Sequence, residues 1–415
     1  MTPIELICVL FAIAAVFGMI SVRWLKLPIT VGTMLLTVAA SGVLIALSQA
    51  LPEIHKWAFD LAVRINFERL ILHGMLPLLL FAGAFLMDLK ELVRQKLTIS
   101  LFAVVGTVLS VFLVAGLMFV MPGIGLPWIQ CLIFGALISP TDPVAVLEML
   151  RRVGVPKSIQ AQLAGESLFN DGLGAVLFLT MIGFANGQSP TVIQVGESLL
   201  LEAGCAIVVG IVAAWIVSQL MRRVDSYQID ILFTITLALG GYVLADLLHL
   251  SAPLEAVAAG IALRFFTHKL GSDEVDHDNV DGFWKLADEI QNSILFVLLG
   301  LEILAVPVNS TSLKAGVGAI LSVNLVRFAS VAALLSVVRL IRRGESGGTR
   351  SSVFVLSWGG LRGGLSIALA LSVPAALGHS WILGTTYVVV VFSIVIQGGS
   401  MDMLLRRRKN KMVVA

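Results

Sequence analysis

The sequence predicts an all-α protein that crosses a membrane about thirteen times. Of its 415 residues, 58% are hydrophobic and 13% are charged, which is too little charge to cover the surface of a soluble domain of this size. The apolar residues fall in runs of about 20, the length that a helix needs to cross the apolar core of a bilayer. Two of these runs are interrupted near their middle by proline or glycine. These observations together favour a polytopic membrane protein with two broken helices.

The candidate spans follow one another along the chain with short connections. They are, in order, 4–21, 28–49, 69–87, 96–120, 128–150, 160–184, 195–219, 229–247, 252–266, 288–306, 313–341, 352–375 and 381–403. Lys and Arg are enriched in the loops on the cytoplasmic side of a membrane, so their positions test the number of spans. With the N-terminus outside, most of them lie in cytoplasmic connections or in the tail 406–411. The opposite side has only Lys56, Arg64, Arg69 and Lys314.

This charge pattern predicts that the N-terminus lies outside and the C-terminus inside. We expect residues 1–415 to form a single membrane unit without a soluble regulatory domain. The net charge of +2 and the lack of a basic domain give no reason to expect a nucleic-acid partner. Three cysteines lie in separate apolar runs without CxxC spacing, which is typical of small buried residues. No cofactor motif is present, and membrane lipid is the expected surrounding of the chain.

The fifth predicted span contains the sequence ISPTDPVAV (138–146). Pro140 and Pro143 each lack a backbone N–H, and proline disfavours helical geometry in the residue before it. We therefore predict that the helix unwinds around Thr141 and Asp142. Unwound backbone at membrane depth is tolerated where it is buried in protein or lines a water-filled cavity. A functional site is favoured here, and a simple kink with a hydrogen-bonded aspartate is the alternative.

The sixth span contains GESLFNDG (165–172), which brings polar side chains into an apolar run. At helical spacing they form one stripe, which consists of Ser167, Asn170, Asp171 and Gly174. Glu166 lies at the edge of this stripe. Hydroxyl, amide and carboxylate oxygens suit a hard cation, whereas a soft metal prefers His or Cys. The stripe predicts a cation site, and a structural polar seam between helices is the alternative.

The twelfth span contains SWGGLRGGLS (357–366), in which two glycine pairs flank Arg362. This predicts a second broken helix with a permanent positive charge at membrane depth. If two halves of six spans are related by inversion and the seventh span links them, the fifth span pairs with the twelfth. Interrupted helices at matching positions of two repeats indicate the binding site of a transporter.

The buried arginines need partners, because an unpaired charge at membrane depth is costly. For Arg362 we expect an ion pair with Glu166. For Arg327, in the middle of the eleventh span, we expect Glu302 or a backbone carbonyl.

With SPTDPVAV (139–146), GESLFNDG (165–172) and GGLRGG (359–364) in this order, the chain resembles a known family. It is similar to the monovalent cation:proton antiporters of the sodium/proton exchanger type, in the NhaP-like branch of bacteria and archaea. The resemblance covers essentially the whole chain. It implies the NhaA/NhaP-like antiporter fold, in which two inverted repeats carry two broken helices that cross each other. It also implies a homodimer in the inner membrane of a bacterium.

The resemblance assigns a role to each polar residue of the first two motifs. It implies that Asp171 binds the cation and carries the proton, and that Asn170 is the asparagine that precedes this aspartate in the family. Thr141 and Ser167 would be further ligands of a monovalent cation at Asp171. Asp142 would be a charged group at the point where the broken helices cross.

The resemblance also implies a buried ion pair between Glu166 and Arg362. In one respect the chain departs from the pattern of the family. Many relatives have an acidic residue after a Leu-Pro-x-Leu-Leu-Phe segment in the third span, and here LPLLLFAGAF (76–85) has Ala82 at that place. One ligand that the family pattern would supply is therefore missing.

A single carboxylate in an oxygen-rich site predicts ion exchange. A proton and a monovalent cation compete for its one negative charge, so one ion leaves for each that enters if only an occupied site changes its exposure. We expect Na⁺/H⁺ antiport by alternating access, without enzymatic catalysis, with Li⁺ and K⁺ as alternative cations and K⁺/H⁺ antiport as the alternative function. Asn170 in place of a second acid favours electroneutral 1:1 exchange.

Two functions of other classes remain open on the sequence. A cation channel also uses carboxylates at depth, but it does not account for Arg362 between glycine pairs. An intramembrane aspartyl protease uses two carboxylates in separate spans, here Asp142 and Asp171, with coupled titration. The GxGD sequence of such proteases is absent.

Overall fold

The computed structural model describes residues 3–27, 29–47, 52–54, 56, 59, 67–121, 125–187, 192–224, 226–269, 274–304, 306, 310–341 and 350–405. Most residues in these ranges are helical, and no β-strand occurs in them. The helices are α1 (Pro3–Ile20), α2 (Ile29–Ala46), α3 (Phe67–Phe85), α4 (Leu89–Phe119), α5 (Trp128–Ile138), α6 (Val144–Val153), α7 (Lys157–Ala185), α8 (Val192–Met221), α9 (Tyr227–Leu247), α10 (Ala252–Lys269), α11 (Glu274–Glu302), α12 (Ser310–Ile341), α13 (Arg350–Trp358), α14 (Gly364–Leu371) and α15 (His379–Leu405). The prediction of an all-α membrane protein is confirmed.

Every predicted span overlaps one of these helices or an interrupted pair of them. Within the described ranges, nine helices are long and apolar enough to cross a membrane. Among the others, α5 is a shorter apolar helix that stops at the first break. The total of thirteen spans stays a prediction, and so does the orientation of the termini. The predicted tail 406–411 lies outside the described residues.

The ends of several helices follow from local sequence. Helices α5, α6 and α7 each begin directly after a proline, namely Pro127, Pro143 and Pro156. Proline has its φ angle fixed near the helical value, and its missing N–H is not needed at the start of a helix. Gly154 ends α6 in the left-handed conformation, with φ 78°, which glycine adopts without a steric penalty.

Both predicted interruptions are present. Residues 139–143 separate α5 from α6, and residues 359–363 separate α13 from α14. The two unwound segments meet in the interior of the bundle, where the Asp142 N–H donates to the Leu361 carbonyl at 2.8 Å. This bond belongs to an isolated antiparallel bridge between the two residues. The predicted crossing of two broken helices is therefore confirmed.

The helices around this crossing pack in two groups. Helices α8, α9 and α10 pack with α3 around Phe81, Phe85 and Trp284. Helices α4, α5, α12 and α15 pack beside the crossing on another side of the bundle. Helix α7 lies between these groups and touches both α10 and the broken helices. Its central residues are therefore enclosed by protein, although the helix is long enough to span a membrane.

Candidate cation site

A cavity of about 500 Å³ extends from one end of the bundle toward its centre. Its lining on α7 runs from Lys157 through Gln160 and Ala164 to Asp171, which is about four helical turns. The mouth is lined by charged residues. Asp88, Glu91, Arg151 and Lys157 lie at helix ends and connections, and Glu148, Lys285 and Glu289 lie within α6 and α11. These connections are on the side that the charge pattern predicts to be cytoplasmic. The cavity thus leads from that side to a carboxylate at membrane depth.

The residues of the α7 stripe have different surroundings. Ser167 and Asp171 line the cavity. Asn170, which is 2% exposed, points to the first break. Gly174 packs against Pro140, and a Cβ at this glycine would lie 2.5 Å from the proline Cγ. The close approach of the broken helix to α7 therefore depends on the absence of a side chain at position 174.

Thr141 is the centre of a hydrogen-bonded group that fixes the first break to α7. The Asn170 side chain accepts from the Thr141 N–H at 3.4 Å and donates to Thr141 Oγ1 at 2.9 Å. Ser167 Oγ lies 2.9 Å from Thr141 Oγ1 and donates to the Thr141 carbonyl. These bonds satisfy backbone groups that unwinding removes from the helix. The predicted ligands Thr141, Ser167 and Asp171 thus lie together, and their binding of a cation stays a prediction.

Asp142 occupies the crossing itself. Its carboxylate accepts from the Val144 N–H at 3.1 Å, so it caps the start of α6. A Cβ on Gly363 would collide with this carboxylate, which places Asp142 against the start of α14 as well. Helix N-termini favour negative charge because their first N–H groups are unpaired. The Asp142 side chain also lines the cavity, as expected for a charged group at the crossing.

The prediction of an ion pair between Glu166 and Arg362 is wrong. Glu166 forms a bidentate pair with Arg327 of α12, in which Nη2 donates to Oε2 at 2.8 Å and Nη1 donates to Oε1. Arg327 also donates to the Leu356 carbonyl at 3.1 Å. The physical reason is Gly360, where a Cβ would lie 2.9 Å from Arg327 Nε. The glycine leaves room for the guanidinium to pass the second break and reach α7.

Arg362 is held mainly by its backbone. Its N–H donates to Ser393 Oγ of α15 at 2.9 Å, and its side chain is buried, with 4% exposed. The guanidinium has a long contact of 3.5 Å from Nη1 to the Gly360 carbonyl. The residue is absent from the lining of the cavity in the described part of the chain. Arg362 therefore lies behind the crossing, and Asp142 lies in front of it.

Helix α3 forms a wall of the cavity without oxygen ligands. The residues that it contributes to the lining are Ile71, Leu76, Leu79, Leu80 and Gly83. Ala82 is fully buried in the apolar cluster with Phe81 and Phe85. The position at which many relatives have an acid therefore gives no ligand, as the sequence predicts.

Known proteins are similar to this chain in sequence and in fold. Residues 11–407 match the family described as sodium/hydrogen exchanger, transmembrane. The chain is 37% identical over 410 residues to the Na⁺/H⁺ antiporter NhaP of Pseudomonas aeruginosa, covering 97% of this chain and 96% of that protein. It is 31% identical over 346 residues to the Na⁺/H⁺ antiporter NhaH of Halobacillus dabanensis, covering 82% and 83%. The chain belongs to the sodium/hydrogen exchanger family.

The fold of this exchanger-family protein is also shared with a solved structure. The sodium proton antiporter MjNhaP1 of Methanocaldococcus jannaschii superposes with a TM-score of 0.70 at 21% identity, and the match covers 97% of both chains. The NhaA/NhaP-like antiporter fold that the motifs predict is confirmed by this match.

The sequence did not predict several residues of the cavity in this exchanger-family protein. On α11, Asp288 lines the cavity and accepts from Asn292 Nδ2 at 3.0 Å. On α14, the Ser366 side chain lines the cavity. The spacing of Asp288 and Asn292 by four residues is the only signal for the first pair, since it places both side chains on one helical face. For Ser366 the sequence offers only its position two residues after GGLRGG.

The site has the chemistry for binding a small cation. It combines the carboxylates of Asp142 and Asp171 with the hydroxyls of Ser167 and Thr141, and these are hard oxygen ligands. Asp171 lines a cavity that admits water-sized groups, whereas Glu166 is neutralised by a permanent cation. The exchanger-family protein therefore presents one carboxylate at depth that is open to the cavity and is not used in an ion pair or a helix cap within the described chain.

Proposed function

We propose that the protein is a secondary transporter that exchanges Na⁺ for H⁺ across the membrane. The observation that carries the proposal is the position of Asp171, which lines a cavity four turns into the bundle beside the oxygens of Ser167 and Thr141. Relatives that match nearly the whole chain are Na⁺/H⁺ antiporters, which supports the same cargo.

The exchange follows from competition for one negative charge. A proton on Asp171 removes the charge that holds a cation, and a bound cation disfavours the proton. The neighbouring acids have other tasks, because Asp142 caps α6 and Glu166 pairs with Arg327. Asn170 is neutral and holds the unwound backbone. We therefore propose one proton for each cation, and such exchange is electroneutral.

Alternating access would move the group around the crossing against the helices that face it. The two breaks are joined to each other and to α7 and α15 by hydrogen bonds. They form a connected unit that is able to move without breaking these bonds. The apolar wall of α3 faces this unit across the cavity and offers no hydrogen bonds that sliding would disrupt. Rocking of one bundle around a fixed site is the usual form of alternating access in such folds.

We also propose the arrangement of the chain in its membrane. The N-terminus would lie outside and the C-terminus inside, in the inner membrane of a bacterium, with two copies forming a homodimer. The charge bias of the connections supports the orientation, and the family resemblance supports the dimer. Labelling of single cysteines introduced beside Glu91 and Lys314 tests the orientation, and the mass of the detergent-free particle tests the dimer.

The test of the function uses purified protein in proteoliposomes that contain a pH-sensitive dye. Imposing a Na⁺ gradient should move protons in the opposite direction, and Asp171→Ala should abolish this movement while the amount of protein stays the same. Clamping the membrane potential with valinomycin and K⁺ should leave the rate unchanged. A Na⁺-driven current without proton movement would identify a channel, and persistence of exchange in Asp171→Ala would refute the role of this carboxylate.

A second candidate is exchange of K⁺ for H⁺ at the same site. The apolar wall of α3 favours K⁺, because it offers no oxygens to replace the water shell of the ion. K⁺ loses this shell more easily than Na⁺ does. The same liposomes with Na⁺, Li⁺ and K⁺ in turn decide between the cations. A maximal rate with K⁺ and a negligible rate with Na⁺ would replace the first proposal by the second.

A further inference from the structure

Ser366 is a buried serine in the wall of the cavity, and it does not belong to the hydrogen-bonded group around Thr141. It lies on the first turn of α14, three residues after Gly363, which packs against the Asp142 carboxylate. Its side chain is 1% exposed, and it lines the cavity that leads to Asp171. Within the described residues its hydroxyl has no hydrogen-bond partner.

An unpartnered hydroxyl in this place needs an explanation. Buried polar groups are nearly always hydrogen-bonded, because losing water without gaining a partner is unfavourable. A serine in an α-helix normally solves this by bonding to the carbonyl one turn earlier, as Thr386 does on α15 at 2.7 Å. At Ser366 the preceding turn is the unwound second break, so the usual carbonyl is not in helical position. The hydroxyl therefore needs its partner in the cavity.

The known polar residues leave a place for another ligand. The hydroxyls of Thr141 and Ser167 bond to each other, and each is used partly for holding the break to α7. Each retains one lone pair for a cation. Helix α3 adds only apolar residues to the facing wall. A small cation that has lost water needs several oxygens around it. Asp288 and Asn292 of α11 also line the cavity but bond to each other, whereas Ser366 at the start of α14 offers a hydroxyl without a partner in the described residues.

We propose that the Ser366 hydroxyl oxygen is a ligand for the transported monovalent cation and helps to select it. The inference rests on the proposed function and deepens it, because it concerns the same site and the same cargo. When the cation is bound, the neutral Ser366 oxygen of α14 would lie on the other side of it from the oxygens of α7. Both broken helices then contribute to the site, Thr141 from the first break and Ser366 from the turn after the second.

Ser357 provides a matched control on the other half of the same interrupted span. It is also 1% exposed, and its hydroxyl also has no hydrogen-bond partner in the described chain. It does not belong to the cavity lining. Replacing either serine by alanine removes the same atom from a buried place, so a difference between the two variants reports on the cavity.

The experiment measures the Na⁺, Li⁺ and K⁺ concentrations that give half-maximal proton exchange in proteoliposomes for the full chain. For Ser366→Ala we expect the Na⁺ value to rise about three- to tenfold, the size of effect of one lost polar contact, and the ratio of the Na⁺ and Li⁺ values to change. Ser366→Cys keeps the shape but replaces oxygen by a soft sulfur, so we expect it to behave like the alanine variant. Ser357→Ala should stay within about twofold of the unmodified protein.

A packing role for Ser366 predicts the opposite pattern. Wild-type behaviour of Ser366→Cys, or equal changes in Ser366→Ala and Ser357→Ala without a change in selectivity, would overturn the inference. A second measurement, the rise in melting temperature on adding NaCl beyond that with choline chloride, reports cation binding without transport. If the unmodified protein exchanges no cation, the proposed function fails. A smaller Na⁺-specific rise in Ser366→Cys than in Ser357→Ala would then still support the ligand, and equal rises would refute it.

Discussion

The two breaks at the centre of the bundle occupy matching positions, but their sequences and charges are opposite. Residues 139–143 are unwound by two prolines, and residues 359–363 are unwound between glycine pairs. The first carries Asp142 and the second carries Arg362. They meet through the bond from the Asp142 N–H to the Leu361 carbonyl. The geometry is thus shared by both halves of the chain, whereas the chemistry differs.

Each break is held by a polar side chain of the span that follows it. Asn170 of α7 accepts from the Thr141 N–H at 3.4 Å, and Ser393 of α15 accepts from the Arg362 N–H at 2.9 Å. Unwinding exposes backbone N–H groups that need partners, and the two halves supply them from corresponding places. This correspondence supports the prediction of two inverted repeats, for which the sequence offers only the order of the spans.

The charges on the two breaks face different surroundings. The Asp142 carboxylate lines the cavity, whereas the Arg362 side chain is 4% exposed and lies behind the crossing. Charges that line a narrow cleft concentrate ions of opposite sign. Negative charge on the cavity side therefore attracts cations, and the positive charge of Arg362 lies away from the path of the cations. The different surroundings of Asp142 and Arg362 explain why two breaks of matching geometry form a site for cations.

The largest effect is expected at Arg327, which passes the second break to pair with Glu166. Arg327→Gln leaves Glu166 buried without a cation, and breaking one side of a buried pair costs about 3–5 kcal/mol. We expect a lower melting temperature in detergent and loss of exchange. Arg362→Gln is the matched control, because Arg362 forms no ion pair in the described chain. Equal destabilisation by both variants would contradict the assignment of the pair.

The next effect is expected at Gly363, where the second break touches the first. A Cβ at this position would lie 2.7 Å from the Asp142 Cβ and 3.0 Å from its Cγ. Gly363→Ala should separate the breaks at a cost of about 1–3 kcal/mol, with exchange reduced more than tenfold. Gly399→Ala is the control, since a Cβ there has no neighbour within 4 Å. Full activity of Gly363→Ala would show that the breaks do not need this contact.

Local sequence was sufficient to predict both breaks. Proline and glycine act on the backbone at their own positions, so the interruptions at 139–143 and 359–363 follow without knowledge of neighbours. Apolar runs likewise predict helices, because lipid demands internal hydrogen bonding of each span. The cavity-facing positions of Ser167 and Asp171 follow from helical periodicity, since they are four residues apart.

The partner of Glu166 was not predictable in the same way. Periodicity shows which face of a helix a residue occupies, but it does not show which of two buried arginines reaches that face. Arg327 reaches Glu166 because Gly360 leaves space beside it, and that contact joins residues far apart in sequence. The polar residues of α11 and α14 in the cavity were missed for the same reason, since cavity walls are made by tertiary packing.

A smaller effect is expected when the charge of the first break is removed. Asp142→Asn keeps the shape and the bond to the Val144 N–H but removes the negative charge beside the cavity. We expect the Na⁺ concentration for half-maximal exchange to rise about tenfold, corresponding to about 1.4 kcal/mol, with little change in melting temperature. Glu289→Gln, at the exposed mouth, is the control, and its effect should vanish at high salt because exposed charges are screened. If the effect of Asp142→Asn on the Na⁺ concentration for half-maximal exchange also vanishes at high salt, the Asp142 charge is screened like that of an exposed residue, and its role beside the cation is refuted.

The smallest effect tests the two side chains that hold the breaks. Asn170→Ala removes both bonds to Thr141. Ser393→Ala removes the bond from the Arg362 N–H and the bond that Ser393 Oγ donates to Gln397 Oε1. Each lost hydrogen bond costs about 1 kcal/mol, so Asn170→Ala and Ser393→Ala should lower the free energy of unfolding by similar amounts. Both should remain folded in detergent.

Measurements of transport distinguish Asn170 from Ser393, the two side chains that hold the breaks. Thr141 lines the cavity and Arg362 does not, so loosening the first break should change the apparent affinity for Na⁺, and loosening the second should not. Ser330→Ala, which removes a bond of 3.1 Å to the Arg327 carbonyl within α12, controls for loss of a buried hydroxyl. A change of affinity in Ser393→Ala equal to that in Asn170→Ala would mean that the two breaks respond as one unit. The two breaks, one with Asp142 and the other with Arg362, would then not have separate roles in cation binding.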